Sequence, residues 1–224
     1  MIRAYQIFAF VLLMSWHPTP AGANSSTEFV LAVYSPAGLD NTNIESQYVT
    51  GARLFFEETN RLGGVLGRKI KLISQKLPPP RDRLMQKLQE EDIKKDIQKN
   101  GFVSVVFLQI PQESEGSIIP SSLDGTPVLK QIIGRRIAGR DPFWLGESNS
   151  VVEKIFSNLA KRGGVTDTDK TRAMSEGFLT ACGLVRGLRM DSDNKNALIQ
   201  RFSSANVQSY CGYLSAGQIR YLTK

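Results

Sequence analysis

Apolar and polar residues alternate in blocks along the chain, and the period within each block predicts an element. Phe29-Val30-Leu31-Ala32-Val33-Tyr34 is a continuous apolar run stopped by Ser35-Pro36, the pattern of a strand buried on both faces. Ile44, Tyr48, Ala52, Phe55 and Thr59 then recur at helical spacing, with Phe56 beside them and Glu45, Arg53 and Glu57 off the stripe. Asn60 and Gly63-Gly64 predict the end of that helix. Residues 68–74 read as a second strand, and Pro78-Pro79-Pro80 imposes a rigid loop. Residues 82–99 read as a helix with a split stripe. Leu84, Met85 and Leu88 share one face, whereas Ile93 and Ile97 lie about half a turn away, which predicts a break or a change of packing partner near Glu91-Asp92. Residues 102–108 form the clearest buried strand.

Beyond it the signals shorten. Residues 112–123 predict a weak helix carrying Pro120, 126–133 a fourth strand, 135–140 a loop, and 142–145 a short strand. Val151, Val152, Ile155, Phe156 and Leu159 make a compact helical stripe ended by Gly163-Gly164, and 165–170 read as a polar connection. Met174, Phe178, Ala181, Val185 and Leu188 form another stripe, on which Gly183 and Gly187 allow close backbone approach. A short helix near 195–202 and a hairpin over 207–222 complete the chain. Strand and helix alternate as far as Leu159, which predicts an α/β fold: a three-layer sandwich with a mostly parallel sheet. Ligands of such sheets collect at the carboxyl ends of the strands, where the strand order reverses.

The amino-terminal stretch is read differently. Arg3 precedes an apolar core over residues 7–14, then Pro18-Thr19-Pro20 and Ala21-Gly22-Ala23, the layout of a secretory signal over 1–23 cleaved after Ala23. An uncleaved anchor is the alternative. The expected mature domain spans 24–224. The sole histidine, His17, leaves with the signal, which excludes Ser/His and Cys/His triads and histidine-containing zinc sites. Cys182 and Cys211 are too few for a zinc ribbon; in an oxidising compartment a disulfide between them is allowed, and two buried thiols are the other reading. The chain is 41% hydrophobic and 22% charged, with no apolar run sufficient for a membrane bundle.

A formal charge of +7 gathers in Arg68-Lys69-Lys71, Lys94-Lys95 and Arg135-Arg136-Arg140. Solvated faces explain such runs, with anionic-lipid or partner contact as a further reading. No nucleic-acid motif accompanies them, so no nucleic-acid partner is expected. No glycine-rich loop has the Lys-Ser/Thr of a phosphate cradle. Glu57-Glu58 and Glu90-Glu91 are adjacent on helices and point apart, so neither proposes an acid/base pair.

The segment Thr50-Gly51-Ala52-Arg53-Leu54-Phe55-Phe56-Glu57-Glu58-Thr59-Asn60-Arg61-Leu62-Gly63-Gly64-Val65-Leu66-Gly67-Arg68-Lys69-Ile70 resembles the first helix and second strand of type 1 periplasmic binding proteins, the leucine- and branched-chain-amino-acid receptors that serve ABC importers. Gly125-Thr126-Pro127-Val128-Leu129, residues 143–159, Ser175-Glu176-Gly177-Phe178-Leu179-Thr180-Ala181 and Ala197-Leu198-Ile199 resemble later parts of the same lobe. Members of that family are longer. Here 24–164 matches one lobe, 165–170 stands where a second lobe would be, and 171–224 matches the closing helix and hairpin. Gln75-Lys76 replaces an acidic pair the family often carries there.

The resemblance implies an exported, periplasmic, non-enzymatic solute-binding protein without cofactor or metal, reduced to about one lobe. Its ligand would be a small polar molecule such as an amino acid or amide, and its partners ABC importer membrane subunits or a sensor kinase. Positions matching the family's ligand loops are Tyr34, Ser35, Gln109, Ser114, Gln131 and Arg135. Arg135 would fork onto a carboxylate. Solvated loop residues are the other reading of that set, since half the clamp is missing. A non-binding interaction or sensor-accessory module derived from the family is the alternative function, and an enzyme the weakest, because no spacing proposes a paired-acid cleft.

Overall fold

The computed structural model describes residues 27–36, 42–77, 83–109, 122–132, 151–166, 171–192 and 194–203. In chain order these form β1 (Glu28–Pro36), α1 (Thr42–Arg61), β2 (Lys69–Leu77), α2 (Arg83–Asn100), β3 (Phe102–Gln109), β4 (Ser122–Leu123), β5 (Thr126–Ile132), α3 (Val151–Arg162), α4 (Arg172–Asp191) and α5 (Lys195–Ser203). The sheet runs in the order β2-β1-β3-β5-β4; every pairing is parallel except that of β4, the short edge strand. Strand, helix and parallel strand follow one another because each crossover must carry the chain back to the same end of the sheet.

Alternation along the strands divides the core in two. Phe29, Leu31 and Val33 of β1 face one side with Val106, Leu108, Leu129 and the apolar stripes of α1, α3, α4 and α5. Ala32 and Tyr34 face the other side with Val105, Phe107, Val128 and, among the described side chains of α2, Ile93 and Ile97. The architecture is the expected α/β sandwich with a mostly parallel sheet. A bulge at Val103 shifts the alternation of β3 by one residue: Val30 pairs with Phe102, but Leu31 pairs with Ser104.

On the helix-rich side, Phe178 of α4 is the hub. Its ring meets Phe55 of α1 edge-on at 5.1 Å and Phe156 of α3 at 5.2 Å. Burying each ring contributes about 1.5–3 kcal/mol, and edge-to-face geometry adds about 1 kcal/mol. α4 is buried on all sides from Ala173 to Val185, whereas an amphipathic stripe predicts burial on one face only. It runs alongside α1 in the same direction, joined at one end by Thr171 with Gln47 and at the other by Arg189 with Gly64.

Three expectations are corrected. α2 is one unbroken helix through Glu91-Asp92; it anchors through Ile93 and Ile97, while Leu88 is half exposed, so the change of face needs no change of backbone. Ser122-Leu123, expected at the end of a weak helix, is β4, paired with Thr126-Pro127 across the Asp124-Gly125 turn. β2 extends past Ser74 to Leu77 because its register with β1 continues to Pro36. The expected hairpin over 207–222, the loop at 135–140, the strand at 142–145 and the signal over 1–23 lie outside the described residues. Among the described residues no helix is long and apolar enough to cross a membrane.

Candidate functional site

The chain leaves β1 through α1 to β2 on one side, while β3 lies on the other. The carboxyl ends of β1 and β3 therefore bound the point where strand order reverses, and a crevice opens at such a point. Of the six expected site residues, Tyr34 and Ser35 precede Pro36 at the end of β1, Gln109 ends β3, and Gln131 is the penultimate residue of β5. Ser114 and Arg135 lie outside the described residues.

Register decides which of these face together. Ser35 pairs with Lys76 of β2, and Leu108 of β3 pairs with Gln131 of β5. One step beyond the Tyr34–Phe107 pair, Ser35 is level with Leu108. Lys76, Ser35, Leu108 and Gln131 thus form one row on the helix-rich face. Ser35 is buried at 3% exposure, and its Oγ finds no hydrogen-bond partner among the described residues. A buried hydroxyl without a partner forfeits about 1–3 kcal/mol of hydration, which a group reaching this strand end would restore.

Tyr34 does not join that row. Its side chain points to the opposite face, stacks on Phe107 with ring centroids 5.5 Å apart, and donates from its hydroxyl to Asp96 Oδ2 of α2 at 3.2 Å. Burial, then the charge of Asp96 and the hydrogen bond to it, hold its phenol well above the usual range. Tyr34 fastens α2 to the sheet instead of reaching a ligand, because adjacent strand residues point to opposite faces.

Residues beside Ser35 were not singled out from the sequence. Ser74 Oγ donates to Glu45 Oε1 at 3.3 Å, and Lys76 Nζ lies 4.0 Å from Glu45 Oε2. These contacts hold the first turn of α1 over the row containing Ser35. The ion pair is half exposed on its lysine side, so it contributes under about 1 kcal/mol. Thr171, the N-cap of α4, donates to Gln47 Oε1 at 2.6 Å and accepts from Met174 N at 3.3 Å. Both helices therefore begin at this edge, with their unpaired N–H groups directed toward it. A hydroxyl and helix-end N–H groups suit a carboxylate or an amide carbonyl. The period-two placement of Ser74 and Lys76 beyond Ile70 and Leu72 is the pattern in the sequence that places them on this face.

A second polar group is internal. Tyr48 is wholly buried beside Thr180 and Glu176, and burial is the main cause that raises its phenol well above the usual range; contact with Thr180 opposes this and the Glu176 charge adds to it. The Glu176 carboxylate accepts from Arg172 Nε at 3.0 Å. That ion pair lies within α4, and the Tyr48 hydroxyl packed beside it finds no hydrogen-bond partner among the described residues. Cys182, fully buried in α4, is disulfide-bonded; Cys211 lies outside the described residues. Among the described residues no group of three or more His, Cys, Asp or Glu could hold a metal ion.

The segment that carries the resemblance sits at the other end of the sheet. Asn60 Nδ2 donates to Ile70 O at 2.8 Å, and Ile70 N donates to Asn60 Oδ1 at 2.7 Å. Val65 and Arg68 exchange two backbone bonds, and a Cβ on Gly64 would stand 2.1 Å from Arg68 O. The Arg68 guanidinium covers the Phe29 ring at 3.7 Å. The motif is thus a device for joining helix to strand. Compared with known proteins, the chain matches no family model and no curated protein.

Proposed function

We propose that this chain is an exported solute-binding protein of the type 1 periplasmic class, reduced to about one lobe. It takes a small polar ligand, an amino acid or amide, at the carboxyl edge of β1 and β3, and serves ABC importer membrane subunits or a sensor kinase. The observation that supports the reading best is the buried, unpartnered Ser35 hydroxyl at that edge, framed by the first turns of α1 and α4. The strand order β2-β1-β3-β5 agrees with a ligand crevice there. No bond of the ligand is made or broken in this reading. Isothermal calorimetry of the purified protein against a panel of amino acids and small amides tests it. Saturable heat that weakens in Ser35→Ala supports the function, and silence across the panel removes it while leaving the fold intact.

A further inference from the structure

We propose that the amino-terminal pole of the sheet, opposite the ligand edge, is a docking surface for an anionic lipid membrane. The inference rests on the fold and is independent of the ligand reading. Three large apolar side chains are exposed among the described residues, and two of them are at this pole: Leu66 at 62% and Met190 at 57% exposure. Arg189, which precedes Met190, donates from Nη2 to Gly64 O at 3.3 Å, two residues before Leu66, so both segments end at this pole. Leu66 is held out by the Val65–Arg68 turn with φ 51°, a conformation seldom taken by residues other than glycine. Such an outlier at an exposed tip points to a use for the side chain.

Around these two residues the bases outnumber the acids in exposure: Glu28, opposite Lys69, Glu58, and Asp191, next to Met190, are half-buried, and Glu57 is exposed one turn before the end of α1. Lys69 starts β2, Arg61 ends α1, and Lys161 and Arg162 end α3, all exposed. Glu58 pairs with both Arg61 and Arg162, at 2.7 and 3.2 Å, and so fixes the two guanidinium groups side by side. Complementing helix dipoles accounts for bases in last turns, but not for Leu66 and Met190 standing exposed among them. Apolar tips beside an excess of exposed bases match the boundary of an anionic bilayer, where apolar groups enter the acyl region and cations meet the headgroups.

The test uses the full chain carrying an environment-sensitive fluorophore on a cysteine at one of three positions: Leu66→Cys, Met190→Cys or Leu88→Cys. Leu88, the third exposed apolar residue, lies on α2 toward the ligand edge and serves as the internal control. Vesicles are phosphatidylcholine alone or mixed equally with phosphatidylglycerol. The expected result is a blue shift and a brightening of at least about twofold at 66 and 190 with anionic vesicles only, reversed by salt, with no change at 88. Neutralising two bases, Lys69→Gln with Arg162→Gln, lowers vesicle affinity about twenty-fivefold, at about fivefold per charge. Labels at 66 and 190 that stay silent, that respond equally at 88, or that respond equally to neutral vesicles overturn the proposal. So does a shift without vesicles that grows with protein concentration, which marks a protein-docking surface. Two reporter positions keep the test decisive if one labelled variant misfolds.

Discussion

Gly177 and Tyr48 are in backbone contact: a Cβ on Gly177 would stand 1.9 Å from the Tyr48 carbonyl oxygen. The relation is reciprocal one helical turn away, where a Cβ on Gly51 would stand 1.8 Å from Met174 O. The two helices therefore cross at a distance only glycine permits, and the aromatic hub around Phe178 is packed to that distance.

Gly177→Ala and Gly51→Ala each cost about 3 kcal/mol, the upper range for forcing atoms into a packed interface. Chemical denaturation reads this as a lower midpoint at unchanged slope. Because either substitution pushes the same two helices apart, the double variant loses less than the sum. Full additivity would show that the contacts are independent.

Ser35→Ala is expected to split stability from binding. Removing an unpartnered buried hydroxyl leaves the melting temperature unchanged or raises it by the equivalent of about 1 kcal/mol. Ligand affinity falls about tenfold, the value of one lost hydrogen bond of this size. A clear loss of thermal stability would mean that Ser35 already serves the fold.

Asn60→Ala removes both bonds to Ile70 and leaves its N–H and C=O without their partner at a half-buried position. The cost is about 2 kcal/mol. Hydrogen exchange should localise the loss to the start of β2, with β3 and β5 unaffected. Uniform loss of protection would contradict the local role.

Tyr34 and Tyr48 carry phenol pKa values raised above the unfolded value of about 10. The folded chain then keeps two protons that the unfolded chain releases, so their contribution to stability is intact below pH 10 and lost as pH rises above it. The expected slope is about 1.4 kcal/mol per pH unit for each tyrosine. Denaturation from pH 9 to 11 checks it, and Tyr34→Phe or Tyr48→Phe each removes one proton's worth of slope.

Much of the fold was legible because it depends on local period. The run from Phe29 to Tyr34 could bury both faces only as an inner strand, and β1 is flanked by β2 and β3. The Asn60 to Ile70 segment resembled a helix-to-strand junction and is one, with Gly64 pressed against the Arg68 carbonyl and Asn60 bonded to the Ile70 backbone. The candidate site was half legible. Ser35 lay at the expected strand end, but Tyr34 beside it did not belong, since neighbours on a strand face opposite ways.

Residue order alone therefore settled most of the described strands and helices and that the sheet is mostly parallel, because side-chain period and crossover length are properties of a short stretch of chain; the short antiparallel β4, expected as helix, was missed. Only the three-dimensional arrangement decided that α2 stays unbroken, that α4 is enclosed on all sides, and that Glu45, Lys76 and Thr171 gather at the edge holding Ser35. Those outcomes depend on register and on the approach of Gly51 to Met174, which join residues more than a hundred positions apart. No local pattern carries that information, since burial is set by whichever distant segment arrives.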